Sequence, residues 1–193
     1  MWFEEVERLL AARPVRRRPP IEGQTASAVL VPLYVAGGSL WVVVTRRTNS
    51  LPNHGGQYAF PGGVRQDGDE DEVATALREA GEELGVDSSV VLVLGQLDDV
   101  WTQTGFVISP VVGALPYPLA LQPSAEEVEA VVPVPFAYLA NPEAAETEEL
   151  VVAGERVTSP VFHYRGHRVW GATALIISDL VCRLSGVPVA PVE

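Results

Sequence analysis

The stretch Phe60–Val86, FPGGVRQDGDEDEVATALREAGEELGV, decides the reading of this chain. It opens on a Gly-Gly pair, crosses an acidic loop and ends in Arg78-Glu79-Ala80-Gly81-Glu82-Glu83-Leu84-Gly85-Val86. Glu79, Glu82 and Glu83 stand at i, i+3 and i+4, so a helix would carry all three on one face. Like charges placed this way repel, and a helix gains nothing from them. A divalent cation converts the repulsion into binding. Carboxylate oxygens suit Mg²⁺ or Mn²⁺, ions that act with substrate phosphates. Val73, Ala76, Leu77, Ala80 and Leu84 fall at helical spacing on another side. A helix from about Glu70 to Leu84 is therefore expected, packed on a core with its carboxylates facing a cleft. Gly85 is the expected left-handed stop. Gly81 costs about 1 kcal/mol relative to Ala inside a helix, and nothing in the sequence explains it. Three glutamates alone would also suit a solvated surface helix; the Gly-Gly pair ahead of them and Arg78 beside them favour the cleft.

These residues resemble a Nudix box, Gly-x5-Glu-x7-Arg-Glu-U-x-Glu-Glu-x-Gly-U with U apolar. Arg78 to Val86 fits, with Ala80 and Val86 at the apolar positions. The first half departs. Five residues lead from Gly63 to Asp69 rather than to Glu, and eight rather than seven separate Asp69 from Arg78. Either a residue is inserted or Glu70 takes the acidic role in a longer loop. The longer spacing is similar to the coenzyme A pyrophosphatase branch of the Nudix hydrolases. Val43-Val44-Thr45-Arg46-Arg47-Thr48 and His54, Gly56, Gln57 and Phe60-Pro61-Gly62-Gly63 resemble that branch's upstream signature. Pro52 sits where the branch carries Arg. Downstream, Gly105-Phe106, Pro110-Val111-Val112, Glu127-Val128 and Trp170 to Ala174 continue the likeness, which covers roughly residues 25 to 185.

Composition agrees with one compact enzyme. A chain of 193 residues, 47% hydrophobic and 20% charged, is long enough to bury a full core. The reading divides it into an N-terminal helix and basic, Pro-rich linker over 1–24 and a single catalytic domain over 25–193. A net charge of −12 argues against a nucleic-acid partner. It does not exclude a small anionic substrate, because metal and local arginines set the field within a cleft. All 13 basic residues are Arg. Four of them, Arg13, Arg16, Arg17 and Arg18, fall within six residues, either to touch an anionic ligand or, as a solvated linker, to pair with the acidic body. Cys182, the only cysteine, reads as a buried structural thiol in an apolar helical run. No leader or apolar run of membrane-spanning length is read, so the expected setting is cytoplasmic and free of membrane. A homodimer is compatible with this reading.

Helices are expected over 2–11 and 172–184. Strands are expected over 25–35, 40–46, 90–97, around Trp101, over 106–115, 128–132 and 157–164, with an acidic loop over 141–149. Interleaved strands and helices point to an α/β class, and the resemblance implies a Nudix α/β/α sandwich with a mixed β-sheet between helices.

Splitting a diphosphate requires neutralised phosphoryl oxygens and a water aimed in line, and metal ions supply both. Glu79 and Glu83, one turn apart, lead as metal ligands, with Glu82 close behind. The Gly63 carbonyl, free at a tight turn, joins them by resemblance. Arg78 would orient a carboxylate by charge pairing. Asp69 and Glu70 compete for the isolated acid, and Asp69 would equally suit a helix cap. The general base is Glu79, with Glu82 beside it, or Glu126 or Glu127 on a distant loop, as in several Nudix enzymes. Arg46, Arg47, His54, Gly62 and Gly63 are the candidate substrate contacts, with His54 equally suited to a structural role. Trp101, Tyr58 and Phe106 suit either adenine stacking or the core. The implied activity is metal-dependent hydrolysis of coenzyme A or acyl-CoA to 3′,5′-ADP and 4′-phosphopantetheine. The alternatives are another nucleoside diphosphate, such as ADP-ribose or a dinucleotide, and a non-enzymatic ligand sensor.

Overall fold

The computed structural model describes residues 2–50, 55–152 and 155–185. In chain order the elements are α1 (Trp2–Ala11), β1 (Thr25–Ala36), β2 (Ser39–Arg47), β3 (Tyr58–Ala59), β4 (Gly62–Val64) and α2 (Glu72–Leu84). A turn of 3-10 helix (Ser88–Val90) leads into β5 (Leu92–Gln96), β6 (Val100–Trp101), β7 (Phe106–Ala114), β8 (Val128–Pro135) and α3 (Phe136–Leu139). Then come β9 (Ala145–Val152), β10 (Glu155–Tyr164), β11 (His167–Val169) and α4 (Gly171–Arg183).

The eight-stranded sheet is mixed. Its spine runs β3-β2-β1-β7-β5, with β4 on β1, β6 on β7 and β8 on β2. The pair β1–β7 is parallel; the other pairs are antiparallel. Because side chains alternate across a strand, β1 serves two cores at once. Ala28 and Leu30 face Ala76, Ala80 and Leu84 of α2. Val31 and Leu33 join the larger core with Ile176, Ile177 and Leu180 of α4 and Val6 and Leu10 of α1. The sheet thus lies between helices, as expected. A three-stranded antiparallel sheet, β11-β10-β9, packs beside α4. No helix among the described residues is long and apolar enough to cross a membrane.

Two expectations are corrected. The acidic segment 141–149 is not all loop, because Ala145 begins the edge strand β9. Its sequence hides this: Arg168 pairs with Glu148 and Arg156 with Glu149, so cross-strand charge rather than apolar alternation marks it. Cys182 is exposed, not buried. α4 buries Thr173, Ala174, Ile176, Ile177 and Leu180, a stripe that leaves Cys182 on its outer face, where Arg13 Nη1 lies 3.8 Å from the sulfur.

Candidate active site

Local rules fix α2 in place. Asp71 caps its N-terminus, its carboxylate accepting from the Ala74 amide at 2.8 Å. Gly85 ends it at φ 65°, donating its amide to the Gly81 carbonyl at 2.9 Å. The cap is therefore Asp71, which frees Asp69 for another role. Residues Gly62–Val64 pair with Val29–Ser27, which brings the Gly-Gly pair beneath α2. There Glu83 is only 2% exposed. Its Oε1 lies 3.5 Å from the Gly62 amide and 3.7 Å from Arg47 Nη1. The Glu79 carboxylate sits directly over Gly63: a Cβ added there would stand 2.5 Å from Glu79 Oε1.

Arg78 gathers the acids around it. Its Nε and Nη2 each donate at 3.0 Å to the two Asp69 oxygens. Nη1 donates to Glu79 at 2.8 Å and to Glu82 at 3.0 Å, and Nη2 also reaches the Val64 carbonyl at 3.0 Å. Asp69 further accepts from the Gln66 amide and the Thr75 hydroxyl. The Arg78 fork holds the Asp69 carboxyl well below the usual carboxylate range, and the acids hold the guanidinium above its own. Glu70 is exposed, and among the described residues it offers its backbone carbonyl, to Arg65 Nη2. Asp69 thus occupies the position left open between the two acids.

The third wall is the segment before β8. The Gln122 and Ser124 amides donate to the carbonyls of Leu84 and Glu83, and the Thr48 hydroxyl and amide donate to the carbonyls of Glu126 and Glu127. Pinned this way, Glu127 lies near enough for its charge to act on both Glu79 and Glu83.

The partly buried Glu79 and the buried Glu83 over a Gly-Gly strand, with the Arg-bound Asp69 behind them, lie within a stretch that a family model matches. The NUDIX domain model covers residues 24–153. The uncharacterized Nudix hydrolase NudL of Shigella flexneri is 35% identical over 183 residues, 95% of this chain and 94% of the relative.

The chain belongs to the Nudix hydrolase family.

NudL of Photorhabdus laumondii is 36% identical over 154 residues, covering 80% of this chain and 82% of the relative. Among solved structures, the Nudix hydrolase RenU of M. smegmatis superposes with a TM-score of 0.55 at 16% identity, covering 89% of this chain and 92% of that one. A Nudix hydrolase from Alicyclobacillus acidocaldarius gives 0.54 at 16% identity, with 87% and 98% covered. At these identities the structures establish the fold. Nudix hydrolases are pyrophosphohydrolases that generally need a divalent metal.

The Nudix residues singled out in the sequence divide as follows. Glu79, Glu82, Glu83, Arg78, Gly62 and Gly63 come together, with Arg47 and Glu127 at their edge. Arg46 turns aside to Glu129 at 3.2 Å and to the Gly56 carbonyl at 3.4 Å, as expected where successive side chains of a strand point to opposite faces. His54 and Pro52 lie outside the described residues. Gly63 is not at a tight turn but in β4, opposite Ala28. The neighbouring bonds Leu30 N–H to Pro61 O and Arg65 N–H to Ala26 O put that pair in the hydrogen-bonding register, so the strand ladder already engages the Gly63 carbonyl. Tyr58 gives its hydroxyl to a 2.6 Å bond with His167 Nδ1, and Trp101 is 49% exposed. Arg65 went unnoticed in the sequence. Its guanidinium braces the loop through the Asp69 and Glu70 carbonyls, a backbone contact that residue spacing does not mark.

The donor set fits a hard cation chemically: oxygen ligands, with the Glu83 carboxylate buried and that of Glu79 partly buried. As they stand, no three His, Cys, Asp or Glu side chains among the described residues are set to hold one. Arg78 occupies Glu79 and Glu82 instead. Burial raises Glu79, and it pushes Glu83 up to about 7 against the pull of Arg47. The sign follows. A folded-state value above the unfolded one gives stability that is complete below about 4.5 and lost as pH rises through about 7. In chelator, stability should fall across that window, by on the order of 3 kcal/mol for Glu83, and the melting temperature with it. Stabilisation by added Mg²⁺ should grow across the same window, because the ionised carboxylate is the ligand. Thermal melts over that pH range, with and without Mg²⁺, check both. A flat metal-free profile would remove the buried charge from the account. Asp69 does not interfere, since its contribution is lost only as pH falls below the ordinary carboxylate range.

Proposed function

We propose that this Nudix hydrolase splits the diphosphate linkage of coenzyme A or an acyl-CoA, with Mg²⁺ or Mn²⁺, to 3′,5′-ADP and a 4′-phosphopantetheine product. The observation that carries the reading is the Gly56-Gln57 and Phe60-Pro61-Gly62-Gly63 run followed by the lengthened loop. That loop delivers Asp69 to Arg78 as a two-point ion pair. The bound cation would neutralise the phosphoryl oxygens and acidify the attacking water. Glu79 and Glu83 would hold it, with Glu82 and the remaining lone pair of the Gly63 carbonyl as further oxygen donors. Arg78 and Asp69 fix the Glu79 carboxylate. Arg47, whose Nη1 lies 3.7 Å from Glu83, would meet substrate phosphate with its guanidinium fork. Glu127, carried by a separate segment, takes the proton from water, with Glu79 and Glu82 as the nearest other acceptors. The substrate is a small nucleoside diphosphate met in the cytoplasm, not nucleic acid.

Pro52 favours a second reading, cleavage of ADP-ribose or a dinucleotide, because Pro supplies no cation where the coenzyme A signature carries Arg. The test is kcat/KM for coenzyme A, ADP-ribose, NADH and diadenosine polyphosphates with each metal, with products read by mass. A larger value for ADP-ribose than for coenzyme A would select the second reading. Arg47→Ala should raise KM about tenfold with kcat less affected. Arg46→Ala should do less, since Arg46 already serves Glu129. Equal effects of the two would contradict the placement of Arg47.

A further inference from the structure

The basic linker is a fixed strap. The Arg16 amide donates to Asp98 at 2.9 Å, the Arg18 amide donates to Asp99 at 2.7 Å, and the Asp99 amide returns a bond to the Arg16 carbonyl at 3.0 Å. Arg13 pairs with Asp98 and Arg17 with Asp99, both at 3.0 Å. Behind them Arg183, its side chain 0% exposed, binds Asp98, Asp179 and the Arg13 carbonyl. With Arg16 Nε 3.9 Å from Asp98, two aspartates account for three of the four linker guanidinium groups. The Arg18 guanidinium has no partner among the described residues.

Beneath the strap lies a cavity of about 470 Å³. Arg17, Arg18 and Arg65 line it, with Thr75 and Ser109 and two acids, Glu72 and Asp99. Asp99 is already committed to Arg17, the Arg18 amide and the Ser109 hydroxyl. Glu72 reaches Arg65 only at 3.9 Å. The lining is thus net positive on a chain of net charge −12. The cavity also shares a helix face with the candidate active site: Thr75, Glu79 and Glu83 are spaced i, i+4 and i+8 on α2. Thr75 therefore precedes Glu79 by about 6 Å of helix, the span of a ribose carrying phosphates at both ends.

We infer that this cavity receives the phosphomonoester on the ribose of the substrate, the 3′-phosphate of coenzyme A, with Arg18 as its principal partner. The inference rests on the coenzyme A reading above. It gives the basic strap a task that Pro52 leaves undone. Guanidinium forks match phosphate geometry, and an Arg without an acid partner keeps its full charge for the ligand.

Titration calorimetry of the full chain with 3′,5′-ADP, 2′,5′-ADP and AMP tests it without any cleavage. The 3′,5′ isomer should bind at least about tenfold tighter than AMP. Arg18→Ala should reduce that preference to about twofold, and Arg18→Glu should abolish it. Arg156→Ala, an exposed arginine paired with Glu149 on the small sheet, should keep it. Equal binding of AMP and 3′,5′-ADP, tighter binding of the 2′,5′ isomer, or a preference that survives Arg18→Glu would overturn the subsite. The substrate reading fails separately, by absence of coenzyme A cleavage: a protein that cleaves only ADP-ribose, yet binds 3′,5′-ADP through Arg18, keeps the subsite and loses coenzyme A.

Discussion

Glu83→Gln should lower kcat/KM at saturating Mg²⁺ by about 100-fold or more, while making the metal-free protein more stable at alkaline pH. The two effects share one cause. Glu83 is 2% exposed, and its nearest positive charge, Arg47, stands 3.7 Å away. That is too little compensation for a carboxylate out of water, so burial raises its proton affinity. Glutamine fills the same volume without the charge. In chelator, the variant should melt above wild type at about pH 8, where the wild-type carboxylate is ionised, and close to it at about pH 5. With Mg²⁺ the order should reverse, because the wild type keeps a carboxylate ligand that the variant has lost. A variant with wild-type turnover, or one less stable than wild type in chelator at alkaline pH, would show that Glu83 is structural rather than a buried charge held for a cation.

Much of this was legible in the sequence because local chemistry wrote it there. The i, i+3, i+4 glutamates, the apolar stripe through Ala76, Ala80 and Leu84 and the Gly85 stop are properties of one helix, and the helix forms as read. The strands β1, β2 and β7 are likewise marked by their own apolar runs. What escaped depends on partners distant in the chain. β9 exists because β10 pairs with it, and its acidic sequence is balanced by Arg156 and Arg168. Asp98 and Asp99 are two ordinary acids until the linker, roughly eighty residues earlier, folds onto them. The choice between Asp69 and Glu70 also required the fold: the loop path, not the spacing, decides which carboxylate meets Arg78. The exposure of Cys182 is not legible either, because a continuous apolar run does not say which face of a helix it covers. At Gly63 a Gly-Gly pair suggests a turn, whereas here the absence of a side chain serves close packing in a strand.

That last point separates two adjacent glycines by experiment. At Gly63 an added Cβ would press on the Glu79 carboxylate, 2.5 Å from Oε1 and 2.6 Å from Oε2. The obstructing atoms are the free end of a flexible side chain, so Gly63→Ala should fold with little loss in melting temperature. The carboxylate must swing away, however, and with it the ligand that Arg78 holds in place. A ligand displaced by an ångström or so costs about 100-fold in rate, so turnover should fall by that order while the fold survives. At Gly62 the same methyl would lie 2.4 Å from the Ala28 carbonyl oxygen and 2.6 Å from Val29 Cα. Those are backbone atoms of the central strand and cannot give way cheaply. Gly62→Ala should destabilise by about 2–3 kcal/mol, the scale of overpacking in a tight interior, and lose activity mainly through unfolding. Measuring melting temperature and kcat side by side distinguishes the two: Gly63→Ala should lose rate without stability, and Gly62→Ala should lose both. If Gly63→Ala turned over substrate at the wild-type rate, the Glu79 carboxylate could not be working from its place above that glycine, and the catalytic role proposed for it would fall.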